Sequence, residues 1–270
     1  MVIRKILITF SMFLPTVIES QPLLISLGND CQPTLRLRQF RLRSIAYPLD
    51  WVKTNNFDGV CALIEEEFAH YLSPDFLEYR SGDDYVSNNH YDVQFFHDFP
   101  THKNANVAQD GENWGYVESN YLDFLPQIKQ KYAPRIKRFF DVLKSTNEVI
   151  FFRVRINTYQ AKKFVNIMTK KYPHLHYTLV VVHDNTSLNY DWDIPHVRNF
   201  YINKYDASVE SWFYDQEWLK IFKELHLIKH YRTMNMLNEM EKAIKCCVHC
   251  MKDLISSIKS LLHFNNFDLI

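Results

Sequence analysis

Val149-Ile150-Phe151-Phe152-Arg153-Val154 is apolar at every position but one. A helical pattern follows over Tyr159 to Lys171, and then a second run, Tyr177-Thr178-Leu179-Val180-Val181-Val182. A strand that is apolar at successive positions has both faces covered, which is the habit of parallel sheets, and its β-branched and aromatic residues fit a pleated surface. Strand, helix and strand within about 34 residues make a βαβ unit, with parallel strands and a right-handed crossover. The expected fold class is therefore α/β, a parallel or mixed sheet flanked by helices.

Upstream, Leu23-Leu24-Ile25-Ser26-Leu27 reads as another buried strand, stopped at Gly28. Asn29 and Asp30 suit a helix N-cap and Pro33 suits a first helical turn, so a helix is expected next, with Leu35, Phe40 and Leu42 facing inward. Tyr47-Pro48-Leu49-Asp50-Trp51 is a turn, and residues 57 to 72 carry Val60, Leu63, Ile64, Phe68 and Leu72 at helical spacing. Residues 80 to 115 read as loop, strand and loop around Val93 to Phe99. Pro126 and Pro134 interrupt the pattern over 121 to 144 and leave Arg135 to Lys144 as its clearest helix. Residues 191 to 218 are rich in Trp and Tyr and irregular. From Tyr231, apolar residues recur at intervals of three and four to Leu261, predicting a C-terminal amphipathic helix that packs back on the domain or meets a protein partner.

The chain has 270 residues, with 31 Lys+Arg against 31 Asp+Glu. That balance argues against a general nucleic-acid binder, and it makes Arg36, Arg38, Arg41 and Arg43 a solvated or acid-paired face rather than a phosphate-binding patch. With 5 Gly and neither GxGxxG nor GxxxxGK[ST], the sequence holds no glycine-rich phosphate loop, and no cofactor is expected. The basic Met1 to Lys5, the apolar Ile6 to Ile18 and the small Ser20 resemble a secretory signal peptide over residues 1–20, which would make the protein secreted or periplasmic. The alternative is a buried first strand or a start-site extension of a cytoplasmic protein. The apolar part is too short to cross a bilayer, and no other stretch reaches transmembrane length.

Five cysteines, Cys31, Cys61, Cys246, Cys247 and Cys250, do not have the spacing of a disulfide scaffold. Cys246-Cys247-x-His249-Cys250 lacks a CxxC pair, so no metal site is expected there; reactive or lipidated thiols suit it as well. Cys31 is the candidate nucleophile. It follows a strand and a tight turn at the start of a helix, where unpaired N–H groups lower a thiol's pKa and can hold an oxyanion, although Asp30 opposes the first effect. A buried structural thiol is the bland alternative. The base is sought in Phe95-Phe96-His97-Asp98-Phe99 or in His183, and the acid that orients it in Asp98 or Asp184. Asn29 and Gln32 are candidate oxyanion donors. Arg153, a charge inside a strand, must hold a substrate carboxylate or phosphate or pair with Asp50 or another core acid; Arg155 is expected in solvent.

Ser26-Leu27-Gly28-x-x-Cys31, Tyr47-Pro48-Leu49-Asp50-Trp51, Tyr85-Val86-x-Asn88, Phe96-His97-Asp98-Phe99, Tyr132 through Phe139, and Val149 to Arg153 stand in one order. In that order they resemble the DUF1796 family, to which a papain-like cysteine peptidase activity is ascribed. The likeness covers residues 23 to 230 and defines a domain over 21–230, leaving 231–270 as a helical extension. It implies a catalytic pair of Cys31 and His97 and a peptide or other acyl substrate. Leu49 stands where the family has Phe. A papain-type domain has an antiparallel barrel-like half, whereas the run from 149 to 182 reads as a parallel sheet. Gly28 to Gln32 is also similar, with one extra residue, to the coenzyme A-binding turn of WcbI-type polysaccharide-biosynthesis proteins. Three functions stay open: a thiol hydrolase, an acyltransferase working on a sugar or protein, and a non-catalytic binding domain.

Overall fold

In a computed structural model, residues 21–80, 82–102, 116–183, 192–202 and 215–228 are described. The signal-like segment, the C-terminal helix with its cysteines, and Asp184 lie outside them.

The strands and helices follow in the order β1 (Leu23–Ser26), α1 (Gln32–Gln39), β2 (Lys53–Thr54), α2 (Phe57–Glu65), β3 (Leu77–Glu78), β4 (Val86–Asn88), β5 (Val93–Phe95), β6 (Thr101–His102), β7 (Tyr116–Val117), α3 (Leu125–Leu143), β8 (Val149–Val154), α4 (Thr158–Lys171), β9 (Tyr177–His183), β10 (Val197–Tyr201) and α5 (Asp215–Glu224). The fold is α/β. A parallel sheet in the order β1-β8-β9-β10 is joined by an antiparallel sheet in the order β2-β5-β4-β3, and β6 pairs with β7. The βαβ unit predicted at 149–182 is β8-α4-β9, with Val149 opposite Tyr177 and Val154 opposite Val182. The first strand joins on the other side, with Leu23 opposite Val149 and Ser26 opposite Phe152.

All six residues of β8 are buried because they alternate between two cores. Val149 and Phe151 pack with Phe57, Phe164 and Phe139 on the face covered by α2, α3 and α4. Ile150, Phe152 and Val154 pack with Leu37, Phe40, Trp218 and Phe222 on the face covered by α1 and α5. Each such side chain contributes about 1.5–3 kcal/mol on burial, so a one-residue slip of β8 exchanges two filled faces at once. Among the described residues, no helix is long and apolar enough to cross a membrane.

The helices differ from their expected bounds for local reasons. Cys31, not Asn29 or Asp30, is the N-cap of α1, and Leu37 rather than Leu35 is its fully buried leucine. The second helix stops at Glu65, because Glu67 and Phe68 are both left-handed. The Phe68 N–H turns back to Leu63 O at 2.9 Å, and its ring packs on Tyr71, Phe139 and Phe140. Helical spacing persists past the helix because the same residues stay buried. The third helix runs unbroken through Pro134, with Pro126 in its first turn, where the missing N–H costs nothing. β10 and the first turn of α5 fall in the stretch read as irregular.

The N-termini of α2 and α4 are tied together. Asn56 Oδ1 accepts the Asp58 N–H at 2.9 Å, Asn157 and Gln160 form a capping box, and Lys163 Nζ meets Asp58 Oδ1 at 2.8 Å. Gly59, within α2, lies so close to the turn between β4 and β5 that a Cβ would stand 1.8 Å from the Tyr91 carbonyl oxygen. That contact is with backbone and cannot be relieved by a rotamer change. Gly59→Ala is expected to cost about 3 kcal/mol and to lower the thermal midpoint by roughly 6–12 °C, measured by circular dichroism. An unchanged midpoint would mean that α2 does not pack this closely.

Candidate active site

Gly28 and Asn29 are both left-handed, at φ of 79° and 82°, and are the two residue types best suited to that region. Together they turn the chain from the end of β1 into α1. Ser26 Oγ accepts the Gly28 N–H at 3.2 Å, and Thr54 Oγ1 accepts the Asn29 N–H at 2.8 Å. This turn delivers Cys31, half-buried, to the N-cap of the helix.

The second segment arrives from the antiparallel sheet. Phe95 and Phe99 are buried on either side of His97, which is exposed. Asp98 turns inward. Its Oδ1 stands 2.5 Å from Lys131 Nζ and its Oδ2 accepts the Tyr132 hydroxyl at 2.8 Å, both from α3. With the loop pinned in this way, His97 Nε2 lies 3.7 Å from Cys31 Sγ, across 66 residues of chain. The Trp51 ring stands edge-on to the imidazole, centroids 6.3 Å apart, and the Arg38 guanidinium lies 5.5 Å from the same ring. Trp51 is positioned by Asp50, whose carboxylate accepts from Tyr47 N at 2.7 Å and Thr34 Oγ1 at 3.0 Å and faces Arg43 Nη2 at 2.8 Å.

The electrostatics run against the expected acidification of Cys31. Burial raises its pKa above the usual thiol value and the Asp30 carboxylate raises it further, while the Cys31 N–H pulls it down by less. Among the amides of the turn, Gln32 N–H is already bound to Asp30 Oδ1 at 2.8 Å. Cys61 is fully buried, and its thiol is pushed up to about 12.

The other residues singled out from sequence have different positions. Asp98 binds α3 and not the imidazole, because its neighbours Phe95 and Phe99 point into the core and take its carboxylate with them. Asn29 is buried, and its side-chain amide donates to Val154 O at 2.8 Å instead of facing the thiol. Arg153 is 0% exposed. It donates to Leu27 O at 3.0 Å, to Thr54 O at 2.7 Å and to Thr54 Oγ1, with Phe57 5.0 Å from its guanidinium carbon, so it is sealed from substrate. Asp50 pairs with Arg43 rather than with Arg153. The Gln32 side-chain oxygen is buried and has no hydrogen-bond partner among the described residues. His183, the rival base, is buried two strands away from β1, with Nε2 2.9 Å from Asn199 Oδ1. Arg36 and Arg43 are buried while Arg38 and Arg41 are exposed, so the four arginines share no single face. Among the described residues, no group of three or more His, Cys, Asp or Glu is placed to hold a metal ion. Sequence reading missed Thr54 and Trp51. The Tyr-Pro-Leu-Asp-Trp stretch was visible, but nothing local says that its tryptophan meets a histidine 46 residues on.

A family profile described as "Putative papain-like cysteine peptidase (DUF1796)" matches residues 23–189, a span from β1 past β9 that includes both Cys31 and His97. The chain is 26% identical over 153 residues to "Uncharacterized protein R408" of Acanthamoeba polyphaga mimivirus, a stretch that is 50% of this chain. It spans 62% of the length of that relative. No solved structure matches. Since the profile covers well over half of its residues, the chain belongs to the DUF1796 family.

Proposed function

We propose that the protein is a thiol hydrolase in which Cys31 attacks an amide or ester carbonyl and His97 is its base. The observation that carries this reading is the 3.7 Å between Sγ and Nε2, made by two residues from different sheets with the imidazole open to solvent. Nucleophile and base within reach of one another are the minimum that covalent catalysis requires, and such bonds run long before substrate binds.

The raised thiol decides between two forms of the mechanism. A preformed thiolate–imidazolium pair needs a thiol that ionises easily, and burial with Asp30 makes this one harder to ionise. His97 therefore acts as a general base during attack. As the S–C bond forms, the thiol proton moves to Nε2, and the carbonyl oxygen takes up the negative charge. Collapse of the tetrahedral intermediate expels the leaving group, which receives the proton from the imidazolium. Water, activated by the now neutral His97, then cleaves the thioester and restores the thiol. The oxyanion falls to the Cys31 N–H and the Gln32 carboxamide, since the amides of Gly28, Asn29 and Gln32 are engaged. The family description supports a peptide as the acyl substrate.

Alkylation by iodoacetamide, mapped to the Cys31 peptide by mass spectrometry, tests the pair. The expected profile shows reactivity near pH 7 that His97→Ala lowers about 100-fold, the variant recovering only at the more alkaline pH where the raised thiol itself ionises. A profile unmoved by His97→Ala sinks the pair. Acyl-enzyme formation from acyl-coenzyme A, with transfer outpacing hydrolysis, would replace the hydrolase by the acyltransferase.

Asp30 supplies a second test. Its carboxylate raises the thiol, so Asp30→Asn lowers the Cys31 pKa and increases the thiolate present at any pH below it. The alkylation rate at pH 8 should rise about three-fold. A fall would show that the Asp30 bond to the Gln32 N–H matters more to the turn than its charge does to the sulfur.

A further inference from the structure

Cys31 hangs from the parallel sheet and His97 from the antiparallel one, so the gap between them depends on how the two sheets are held. Thr54 makes four hydrogen bonds across that seam. Its N–H donates to Asn29 O at 3.1 Å, and its Oγ1 accepts the Asn29 N–H at 2.8 Å. Arg153, in β8, donates one Nη to the same Oγ1 and the other to Thr54 O at 2.7 Å. On its other side Thr54 pairs with Val93, the first residue of β5, the strand that leads to His97. One residue is thus bonded to the turn before the sulfur and paired in the sheet with the strand before the imidazole.

The seam tolerates little change. Thr54 is 0% exposed, and a Cβ on Gly28 would come within 2.6 Å of its Oγ1. Arg153 is a buried cation whose direct partners are two carbonyls and a hydroxyl, with the Asp30 charge favouring its protonated form without bonding to it among the described residues. Burying such a charge is expensive, and carbonyls and a hydroxyl compensate it less fully than an acid would. What the arrangement supplies is direction: the planar guanidinium donates in parallel to both oxygens of Thr54 and to Leu27 O, the carbonyl just before Gly28. We propose that Thr54 is a positioning residue, its hydroxyl held by Arg153 and setting the approach of Cys31 to His97.

The proposal rests on the Cys31–His97 pair, and the measurement of His97→Ala in the otherwise natural protein tests that pair separately. Thr54→Val keeps the shape and removes the oxygen; Thr54→Ser keeps the oxygen and removes the methyl. The readout is the pH profile of Cys31 alkylation by iodoacetamide. Variants count as folded when Cys61, sealed in the core, stays unmodified and the circular dichroism spectrum is native. Thr54→Val is expected to lower the rate at pH 7 about ten-fold, as a small misplacement of reacting groups does, while Thr54→Ser keeps the natural profile. Adding His97→Ala to Thr54→Val should then lower the rate by far less than the 100-fold expected of His97→Ala alone, since the two changes remove one interaction. A folded Thr54→Val with the natural profile overturns the proposal, and so does a Thr54→Ser that behaves like Thr54→Val. Should Thr54→Val not fold, Thr54→Ala against Thr54→Ser poses the same question at matched volume. Equal profiles in that pair overturn the proposal, and loss in Thr54→Ala alone supports it.

Discussion

The left-handed turn at Gly28 and Asn29 is the constraint on which the site depends. A buried strand ends there and a helix must begin within four residues, with no room for a side chain on Gly28 and with every polar group of the turn needing a partner away from water. The partners come from far off in sequence: Thr54 for the Asn29 amide, Val154 for its side chain, Arg153 for the Leu27 carbonyl. Loss of any one leaves a buried group unsatisfied, at about 1–3 kcal/mol. The position of the Cys31 sulfur is a consequence of this network more than of any contact the cysteine makes itself.

The parallel sheet and the pair of residues at its margin obey different rules. The sheet is held by non-directional burial on two faces, which many sequences could supply. The loop bearing His97 and the turn bearing Trp51 are held by buried charges, Asp98 on Lys131 and Tyr132, and Asp50 on Arg43, Thr34 and the Tyr47 amide. Burial raises Asp50 above the usual carboxylate value, and Arg43 and these hydrogen bonds offset that only in part. Such pairs stabilise a fold weakly, since desolvation offsets most of the attraction, but they have direction and so define where a loop lies. Each of the two acids therefore sits next in sequence to a site residue, His97 or Trp51, and turns the opposite way.

What could be read from the sequence follows the same division. The unit β8-α4-β9 was legible because double-sided burial writes itself as an unbroken apolar run. The turn before Cys31 was legible because a glycine ends the apolar run of β1, although Asn29 read as a helix cap and not as left-handed backbone. By contrast β10, an edge strand whose residues are mostly part-exposed, carries too few apolar positions to stand out among the neighbouring aromatics. The place of Arg153 could not be read, because a buried arginine looks the same whether it faces a ligand, an acid or a carbonyl. Its partners, Leu27 and Thr54, lie about 100 residues away or more. The Cys31 N–H at the helix start lowers the thiol's pKa, the direction expected there, but burial and the full charge of Asp30 outweigh it.

The three helices that begin near the sheet's upper edge sharpen the contrast. Asn56 caps α2, and Asn157 with Gln160 caps α4, so the first amides of both helices are engaged and the two starts are bonded to each other. The first helix begins on Cys31, whose side chain makes no capping bond. An asparagine, serine or aspartate there would stabilise the helix by about 1 kcal/mol. Asn29 and Asp30 are within two residues, yet the left-handed turn carries them past the capping position and presents the sulfur instead. A fold selected for stability alone would place the better cap at that point. Leaving it to a thiol, with an imidazole brought from another sheet to meet it, accords with the proposed use of the sulfur.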